Sequence, residues 1–574
     1  MSTETDLLRA IRDNPDEDTP RLMFADHLDE EGNAPRAEFI RVQVERARLS
    51  DHDPARRALE DREHELLAEH ECSWLGVAPD DMDELTEWEF DRGFVNEVAA
   101  SPVFMNGPGS DLCAAHPVRR WRVMSAQNNL PADLRECGQR GWCDRLEALD
   151  LSGWYAGLGE VSGFLTRSYF ARLRELDLRM CGPLESLPEL LEVVPFRDNL
   201  TALRCGANAA DGAGLDVAEF VRALGTKCAL SELCIMSSML NDADIGDLLG
   251  STAAARLTSL DLQQNIPDVG SVAAFHATRA RFRELDISET ILGTSLALLL
   301  WCRSLADLTE LYVNSAGHTA DNVRALAASR FWSRATALWM RRGTFDYDGD
   351  DEVPEGTGEV LDPLFAATGS SNLRTLDIAG YALRDTGVAR LCAAPWAGSL
   401  TYLDLSQNHL SDEALRELAR SGRFKCLRTL HLNGNSVYQQ ANATESITDA
   451  GLRALADCPD LANLRVLSLS GTRITADGID AILNSPHFRL TGLRLANCQL
   501  RGNAIEVLAS SPRTSRLEVL DLSSNDEIGS NHLMALAESE YLSPLTELDI
   551  RATADAGTTV RTALRERLGR RLSE

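Results

Sequence analysis

No stretch of this chain is apolar for long enough to cross a membrane. The longest candidate, Ile291 to Cys302, is about a dozen residues, well short of the roughly 20 that a bilayer core requires. The N-terminus, Met1-Ser2-Thr3-Glu4-Thr5-Asp6, lacks both the basic start and the apolar core of a secretory leader. Thirteen cysteines are present, an odd and scattered set with no Cys-x-x-Cys pair, which argues against a disulfide framework and against zinc. Cys181, Cys205, Cys302, Cys392 and Cys498 fall at or beside apolar positions, where a reduced thiol acts as a small hydrophobe. These absences together predict a cytoplasmic protein.

Positive charge is scarce too. The 57 basic residues face 88 acidic ones, a net charge of −31. A nucleic-acid binder needs a positive footprint to exchange counterions with phosphate, so neither nucleic acid nor a membrane surface is an expected partner. Two readings of the acidity stay open: solubility alone, or a partner protein with a basic surface. Catalytic signatures are missing as well. There is no Gly-x-x-x-x-Gly-Lys and no Gly-x-Ser-x-Gly. Gly157, Gly159 and Gly163 are spaced one residue too long for a dinucleotide loop and read as a loop within a larger pattern.

That pattern is a repeat. From about residue 118 to 553 one phrase recurs: an apolar residue, two variable ones, then leucine-x-aliphatic. Leu400-Thr401-Tyr402-Leu403-Asp404-Leu405-Ser406-Gln407-Asn408 is a clean copy, and Leu427 to Asn435 and Leu517 to Asn525 match it closely. The second leucine gives a ruler of sixteen marks: Trp121, Leu149, Leu176, Leu203, Leu233, Leu260, Leu285, Leu311, Leu338, Leu376, Leu403, Leu430, Leu467, Leu493, Leu520 and Leu548. Period-two alternation within each phrase predicts a strand; between phrases Leu410, Leu415 and Leu418, or Ile474, Ile479 and Ile482, lie at helical spacing. A unit this small buries no face alone and must stack on its neighbours.

The phrases resemble leucine-rich repeats, and the unit length with a true helix is similar to the ribonuclease-inhibitor type. The resemblance implies an α/β solenoid: a curved parallel sheet along the concave side, helices on the convex side. Asn208, Asn265, Asn408, Asn435 and Asn525 fit the family's asparagine position, which Cys181, Cys498, Thr290, Thr472 and Thr553 replace. Units around Phe282 and Ala335 are the most degenerate, so irregularity is expected there. Two insertions, near 344–360 and 436–447, lengthen the steps Leu338 to Leu376 and Leu430 to Leu467, and breaks in the sheet are expected only beside them.

Residues 1–88 lack the repeat and read as a small helical domain. Leu7, Leu8 and Ile11 mark one helix, Asp18-Thr19-Pro20 opens a second that stops at Gly32, Phe39, Ile40 and Val44 mark a third, and Asp53-Pro54 opens a fourth. The strings Asp18 to Gly32 and Ala37 to Gln43 resemble the bacterial repeat-companion domain known chiefly from planctomycetes, with His27 where an aromatic is expected. Glu89 to Val98 is similar to that family's junction, and 89–117 is expected to cap the first edge of the solenoid at 118–574.

Candidate metal ligands are weak. Asp346, Asp348 and Asp350 alternate as calcium ligands do, yet the glycine stands fourth and the twelfth position is Thr357; a solvated acidic loop is expected. His64 and His70 are six apart, on different helix faces. No metal, cofactor or catalytic residue is expected, and the chain is predicted not to be an enzyme.

What remains is surface. Between the two core positions of each phrase lies a column facing away from the core: Arg122, Asp150, Asp177, Arg204, Cys234, Asp261, Asp286, Tyr312, Trp339, Asp377, Asp404, His431, Ser468, Arg494, Asp521 and Asp549. Eight of its sixteen members are aspartate, which fits either a local backbone partner or an acidic stripe facing a ligand. Near the middle the column turns aromatic. Tyr312, Trp339, Arg341, Asp377, Tyr402, Asp404 and His431 are the expected partner-binding residues, aromatic and Arg side chains being enriched at interface hot spots. Trp339 packing on the acidic insertion is the other reading of that residue. Asp377 and Asp404 are expected as exposed charges that steer encounter. The predicted function is a non-catalytic protein-binding scaffold or recognition module, the alternative a regulatory inhibitor or sensor of a partner enzyme.

Overall fold

The computed structural model describes residues 3–49, 55–78, 85–124, 130–153, 158–166, 169–206, 214–290, 292, 295–316, 318–343, 357–369, 372–435, 446–543, 546–553, 557–568 and 571–573. The chain forms two compact units, residues 1–238 and 239–574.

The first unit opens with four helices, α1 (Thr3–Asp13), α2 (Asp18–Glu30), α3 (Ala34–Arg48) and α4 (Arg56–Leu75). Asn33 caps α3 by accepting the Arg36 N–H, with Pro35 in the first turn, and Gly76 at φ 68° ends α4. A hairpin follows, β1 (Leu85–Asp91) and β2 (Phe94–Ala100), antiparallel, turning at Arg92 and Gly93. Both turn residues have positive φ, 49° and 88°, the geometry whose twist matches a two-residue hairpin. A Cβ on Gly93 would lie 2.5 Å from Ile40 Cγ1, so the helix packs where only glycine leaves room. The boundary expected at residue 88 falls inside β1.

The helices hold this hairpin by its backbone. Arg21 donates to the carbonyls of Asp91 and Arg92 at 3.3 and 3.2 Å, and Arg36 to that of Gly93 at 2.6 Å. Gln43 donates to the Phe90 carbonyl and accepts the Gly93 N–H. Around the buried Arg36 guanidinium stand Phe39, Trp74, Phe90 and Phe94, at 5.4, 4.9, 5.5 and 5.5 Å. The three strings singled out in the sequence, Asp18 to Gly32, Ala37 to Gln43 and Glu89 to Val98, therefore meet at one turn, which Arg21 of the first and Gln43 of the second hold by its backbone.

β2 then pairs parallel to β3 (Arg120–Val123), followed by β4 (Ala148–Asp150), β5 (Glu175–Arg179), β6 (Ala202–Gly206) and β7 (Glu232–Met236). The second unit continues the pattern with β8 (Ser259–Asp261), β9 (Glu284–Asp286), β10 (Glu310–Tyr312), β11 (Ala337–Trp339), β12 (Thr375–Asp377) and β13 (Tyr402–Asp404). Beyond them come β14 (Thr429–His431), β15 (Val466–Ser468), β16 (Gly492–Arg494), β17 (Val519–Asp521), β18 (Glu547–Asp549) and β19 (Leu572–Ser573). Ruler residue meets ruler residue: Trp121 pairs with Leu149, Leu285 with Leu311, Leu403 with Leu430, Leu520 with Leu548. The expected breaks at the insertions do not occur, since Leu338 pairs with Leu376 and Leu430 with Leu467. The extra residues leave after Gly343 and after Asn435, beyond the strands, so the ladder is untouched; residues 344–356 and 436–445 lie outside the described set. β19 is a strand that the ruler omitted, its Leu572 pairing with Leu548.

Each strand from β2 to β18 leads to a helix before the next strand, and within each unit many successive helices pack side by side. Among the described residues the two shortest α-helices are Leu296–Leu299 and Asp362–Phe365. They belong to the units of Phe282 and Ala335, where the degenerate sequence pointed to irregularity. Gly159 and Gly163 sit in the helix Leu158–Leu165, which corrects the loop expected there: helix period sets that segment, and the glycines are only its small residues.

Turns after the strands are tied by the asparagine position. Asn408 accepts the N–H groups of Tyr381 and Leu383 at 2.9 and 3.2 Å and donates to the Ile378 carbonyl at 2.8 Å. Asn435 and Asn525 repeat this one and several units on. Thr290, Thr472 and Thr553 donate to a carbonyl three residues back within their own turn, and Cys181 and Cys498 donate to the preceding unit. A hydroxyl or thiol reproduces part of an asparagine's bonds, which explains the substitutions. All thirteen cysteines are free thiols, and all but Cys72 and Cys426 are buried.

Candidate functional site

The aspartate column resolves in favour of a backbone partner. Asp150, Asp177, Asp261, Asp286, Asp377, Asp404, Asp521 and Asp549 each accept the N–H of the residue two positions on, at 2.7 to 3.0 Å. Asp is placed there because the strand ends and its next free N–H needs an acceptor. Five of the eight also meet an arginine: Asp150 with Arg122, Asp177 with Arg179, Asp377 and Asp404 with Arg341, and Asp549 with Arg551.

In the first unit this makes a paired surface. Arg120 bridges Glu97 and Glu175 at 3.1 and 2.9 Å, Arg204 meets Glu232 at 2.6 Å, and Arg122 adds Glu87 at 2.8 Å. Each charge there already has its counterpart, so covering the face strips water from pairs and returns little.

The second unit differs. Tyr312 and Trp339 occupy one register position on adjacent strands, and their rings stack at 5.7 Å between centroids, 4° from parallel. Trp339 reaches across β12, whose Asp377 is short, to Tyr402 at 5.0 Å; Tyr402 meets His431 edge-on at 5.2 Å. All four rings are half-buried on the open face of the sheet. Trp339 therefore stands between two tyrosines; the acidic insertion lies outside the described residues. Arg341, two residues past Trp339 and so on the same face, lies over two strands, 3.1 Å from Asp377 and 2.6 Å from Asp404. Its backbone N–H is held by Asn314. Sequence reading did not single out Asn314; one repeat back from Arg341 in the ladder, it shows its role only once the register is known.

All seven expected residues thus come together, but two have other roles than expected. Asp377 and Asp404 are 2 % and 1 % exposed, not exposed steering charges: Arg341 covers both. Burial, and then Asp404, push the Asp377 carboxyl up to about 6 against the pull of Arg341. Burial acts on Asp404 as well, yet hydrogen bonds from His431 and Ser406 and the Arg341 charge hold it below its ordinary value. Both tyrosine hydroxyls are pushed well up, by burial first and by neighbouring carboxylates next, so neither supplies a phenolate near neutral pH.

One strand away, Asp286 shares the register position of Tyr312. Its carboxyl is pushed up to about 7 by burial first and by Asp261 next. Glu284 and Glu310 are register partners beside it. Sequence reading placed Asp286 in the column and did not separate it from the other seven; its neighbours' signs were the available signal. Among the described residues no three His, Cys, Asp or Glu side chains are gathered to hold a metal ion, and no helix is long and apolar enough to cross a membrane. Asp346, Asp348 and Asp350 lie outside the described residues.

A family model described as "Leucine Rich repeat" matches residues 399–419, 461–483 and 516–537. These segments are leucine-rich repeats. The first of them carries β13 and Tyr402 and Asp404 of the aromatic cluster. A curated relative is the ribonuclease inhibitor of Sus scrofa, 25 % identical over 360 residues, which span 53 % of this chain and 78 % of that protein. Among solved structures, a chain of the yeast Rad7 and Elc1 complex shares 16 % identity at a TM-score of 0.42, over 60 % of this chain and 84 % of that one. An internalin from Listeria monocytogenes shares 16 % identity at a TM-score of 0.33, over 66 % and 86 %. The leucine-rich-repeat architecture of alternating parallel strand and helix is thus common to sequence match and geometry.

Proposed function

We propose that this protein is a cytoplasmic protein-binding scaffold or recognition module without catalysis of its own, and that it takes its partner on the open sheet face around Tyr312, Trp339, Tyr402 and His431. The observation that carries this reading is the run of four half-buried rings propped by the Arg341–Asp377–Asp404 bridge. Rigid aromatic area at low entropic cost is what interface anchors supply, and a catalytic site would need a poised nucleophile or base, whereas the titratable groups here are consumed by one another. The net charge of −31 favours a partner with a basic surface, and in this reading nucleic acid and membrane are not partners. Residues 1–88 serve as a repeat-companion domain of the bacterial type, whose task is to hold the β1–β2 hairpin as the edge of the array.

A second reading, a regulatory inhibitor or sensor of a partner enzyme, is favoured by the likeness to ribonuclease inhibitor over 53 % of the chain. The two are separated by whether the partner loses an activity on mixing. The test of the first is capture of partner from native lysate by wild type, Trp339→Ala and Tyr312→Ala, then measurement of affinity. Each truncation is expected to cost about 2 kcal/mol or more of binding, as loss of an anchor does. Capture unchanged in both variants would place the recognition surface elsewhere.

A further inference from the structure

We infer that the edge of the sheet where β9, β10 and β11 begin is a second docking surface, for an acidic segment of a partner protein that also presents an apolar side chain. Trp301 and Leu298 take the apolar side chain, and the arginines beside them take the carboxylates. The inference goes beyond the reading of the open sheet face and does not depend on it.

Ile291 to Cys302, the apolar run that comes nearest to membrane length, ends beside an exposed tryptophan. Trp301 is 84 % exposed, and Leu298, one helical turn earlier, 55 %. The Trp301 N–H donates to the Leu298 carbonyl at 3.2 Å, so the two side chains share a face. The helix before them, Ser271–Ala277, has Ala273 and Ala277 exposed and no Asp, Glu, Lys or Arg. It lies against the chain that follows Trp301: Cys302 Sγ meets the Val272 carbonyl at 3.5 Å, and Ser304 Oγ donates to that of Phe275 at 2.6 Å. The helix Asp412–Arg420, by contrast, has five charged residues in nine. Single exposed aliphatics are ordinary on a surface, whereas an indole beside an uncharged helix face marks a contact site.

Beside this face the sign of the surface reverses. The chain has 88 acidic residues against 57 basic ones. Yet the segments leading into β9, β10 and β11 (277–283, 301–309 and 329–336) hold six arginines, Arg279, Arg281, Arg283, Arg303, Arg330 and Arg334, and one carboxylate, Asp307. All six arginines are exposed. The segments lie side by side: the Thr309 N–H donates to the Arg283 carbonyl and the Thr336 N–H to that of Thr309, both at 2.8 Å. Arg281 donates to the Arg303 carbonyl, and Arg334 to that of Ala306 at 2.9 Å. Asp307 is taken by Arg334 at 2.9 Å; among the described residues Arg279, Arg281 and Arg303 have no ion-pair partner. An exposed guanidinium matches a carboxylate by a forked bond. The strip is about 10 Å wide, two strand spacings, which is close to one Debye length. A short acidic segment fits within it. A nucleic-acid duplex or a bilayer would extend past it and meet the repulsion of a chain with net charge −31.

The experiment uses the full chain and three fluorescein-labelled peptides of equal length, read by anisotropy. One alternates glutamate pairs with leucine pairs, one has glutamine in place of glutamate, and one is glutamate alone. Wild type is expected to bind the glutamate–leucine peptide about tenfold more tightly than either of the others. Trp301→Ala is expected to weaken that peptide about tenfold and to keep the wild-type melting temperature, because the ring is exposed. Arg279→Gln with Arg303→Gln is expected to weaken it about fivefold. Arg172→Gln with Arg174→Gln, an equal loss of charge from exposed positions of the first unit, is expected to weaken it less than about twofold. Equal losses in the two double variants would overturn the inference, since net charge alone would then govern binding. Equal binding of the glutamine peptide would overturn the choice of an acidic partner. Phosphatidylserine vesicles that bind wild type and not Trp301→Ala, with no binding of the peptide, would overturn it in favour of a membrane contact. A glutamate–leucine peptide lost in Trp339→Ala and kept in Trp301→Ala would sit on the open sheet face, so this inference falls and the reading of that face stands.

Discussion

Arg341 and Asp404 are 63 positions apart in sequence, and the guanidinium Nη2 of one lies 2.6 Å from the carboxylate of the other. Two repeat steps, one lengthened by an insertion, separate them, yet in the sheet they are two strands apart. Arg341 spans that gap and holds Asp377 beneath it at 3.1 Å. It staples three strands on the face that carries the aromatic run.

Replacing Arg341 with Met should therefore act on stability as well as on binding. Two carboxylates that are 2 % and 1 % exposed would lose their cation. Because the guanidinium itself is partly exposed, the cost is expected to be about 2 kcal/mol, below the figure for a fully buried pair. Urea denaturation at pH 7.5 reads it. Adding Asp377→Asn and Asp404→Asn should recover most of the loss; no recovery would mean that the bridge is not what Arg341 contributes.

The asparagine position offers a graded comparison. Asn408→Ala leaves the buried N–H groups of Tyr381 and Leu383 without an acceptor and is expected to cost about 3 kcal/mol. Thr472→Ala removes one donor to the Leu469 carbonyl, at about 1 kcal/mol. Equal shifts of the denaturation midpoint would contradict the ladder account.

Asp286 gives stability a dependence on pH with a definite sign. Its carboxyl is near 7 in the folded protein and near 4 in an unfolded chain. The folded state thus holds a proton that the unfolded state releases, and stability falls as pH rises from about 4 to about 7. Asp261, Glu284, Glu310 and Tyr312 face it from β8, β9 and β10. Asp286→Asn is expected to raise the melting temperature at pH 8, to leave it nearly unchanged at pH 4, and so to flatten the slope between. A lower melting temperature at pH 8 would reverse the sign argued here.

Gln43 tests the hold on the hairpin. Gln43→Leu removes the acceptor of the Gly93 N–H and a donor to the Phe90 carbonyl. Amide exchange across Leu85 to Ala100 is expected to quicken, while Leu403, Leu430 and Leu467 exchange as before, because each repeat depends on its neighbours. Uniform quickening along the whole chain would show that the hairpin is not a local unit.

Much of this architecture was legible because the ruler residue, Trp121 in the first phrase and a leucine in the other fifteen, has no alternative but the core. Leu376 and Leu403 had to lie side by side whatever the loops between phrases did. Leu572 escaped notice because its phrase is cut to Leu572-Ser573, with no alternation left to read. Tyr312, Trp339 and Tyr402 announced themselves by type within a column of aspartates. The role of Arg341 could not be read, since its carboxylates lie 36 and 63 positions away and come within reach only when the long step from Leu338 to Leu376 is closed. Nor did sequence distinguish Asp286 from Asp377. Both accept the same backbone bond, and only the sign of the neighbouring strand's side chain separates them.

The distribution of thiols makes the native protein ready for labelling without mutagenesis. Cys72 and Cys426 are exposed and eleven others are buried, and burial pushes the thiols of Cys113, Cys302, Cys392 and Cys498 up, away from the reactive thiolate. A maleimide dye should enter two positions quickly and the rest only as the chain opens. Those two positions fall one in each compact unit, so a single pair of dyes would time the opening of each half against the other.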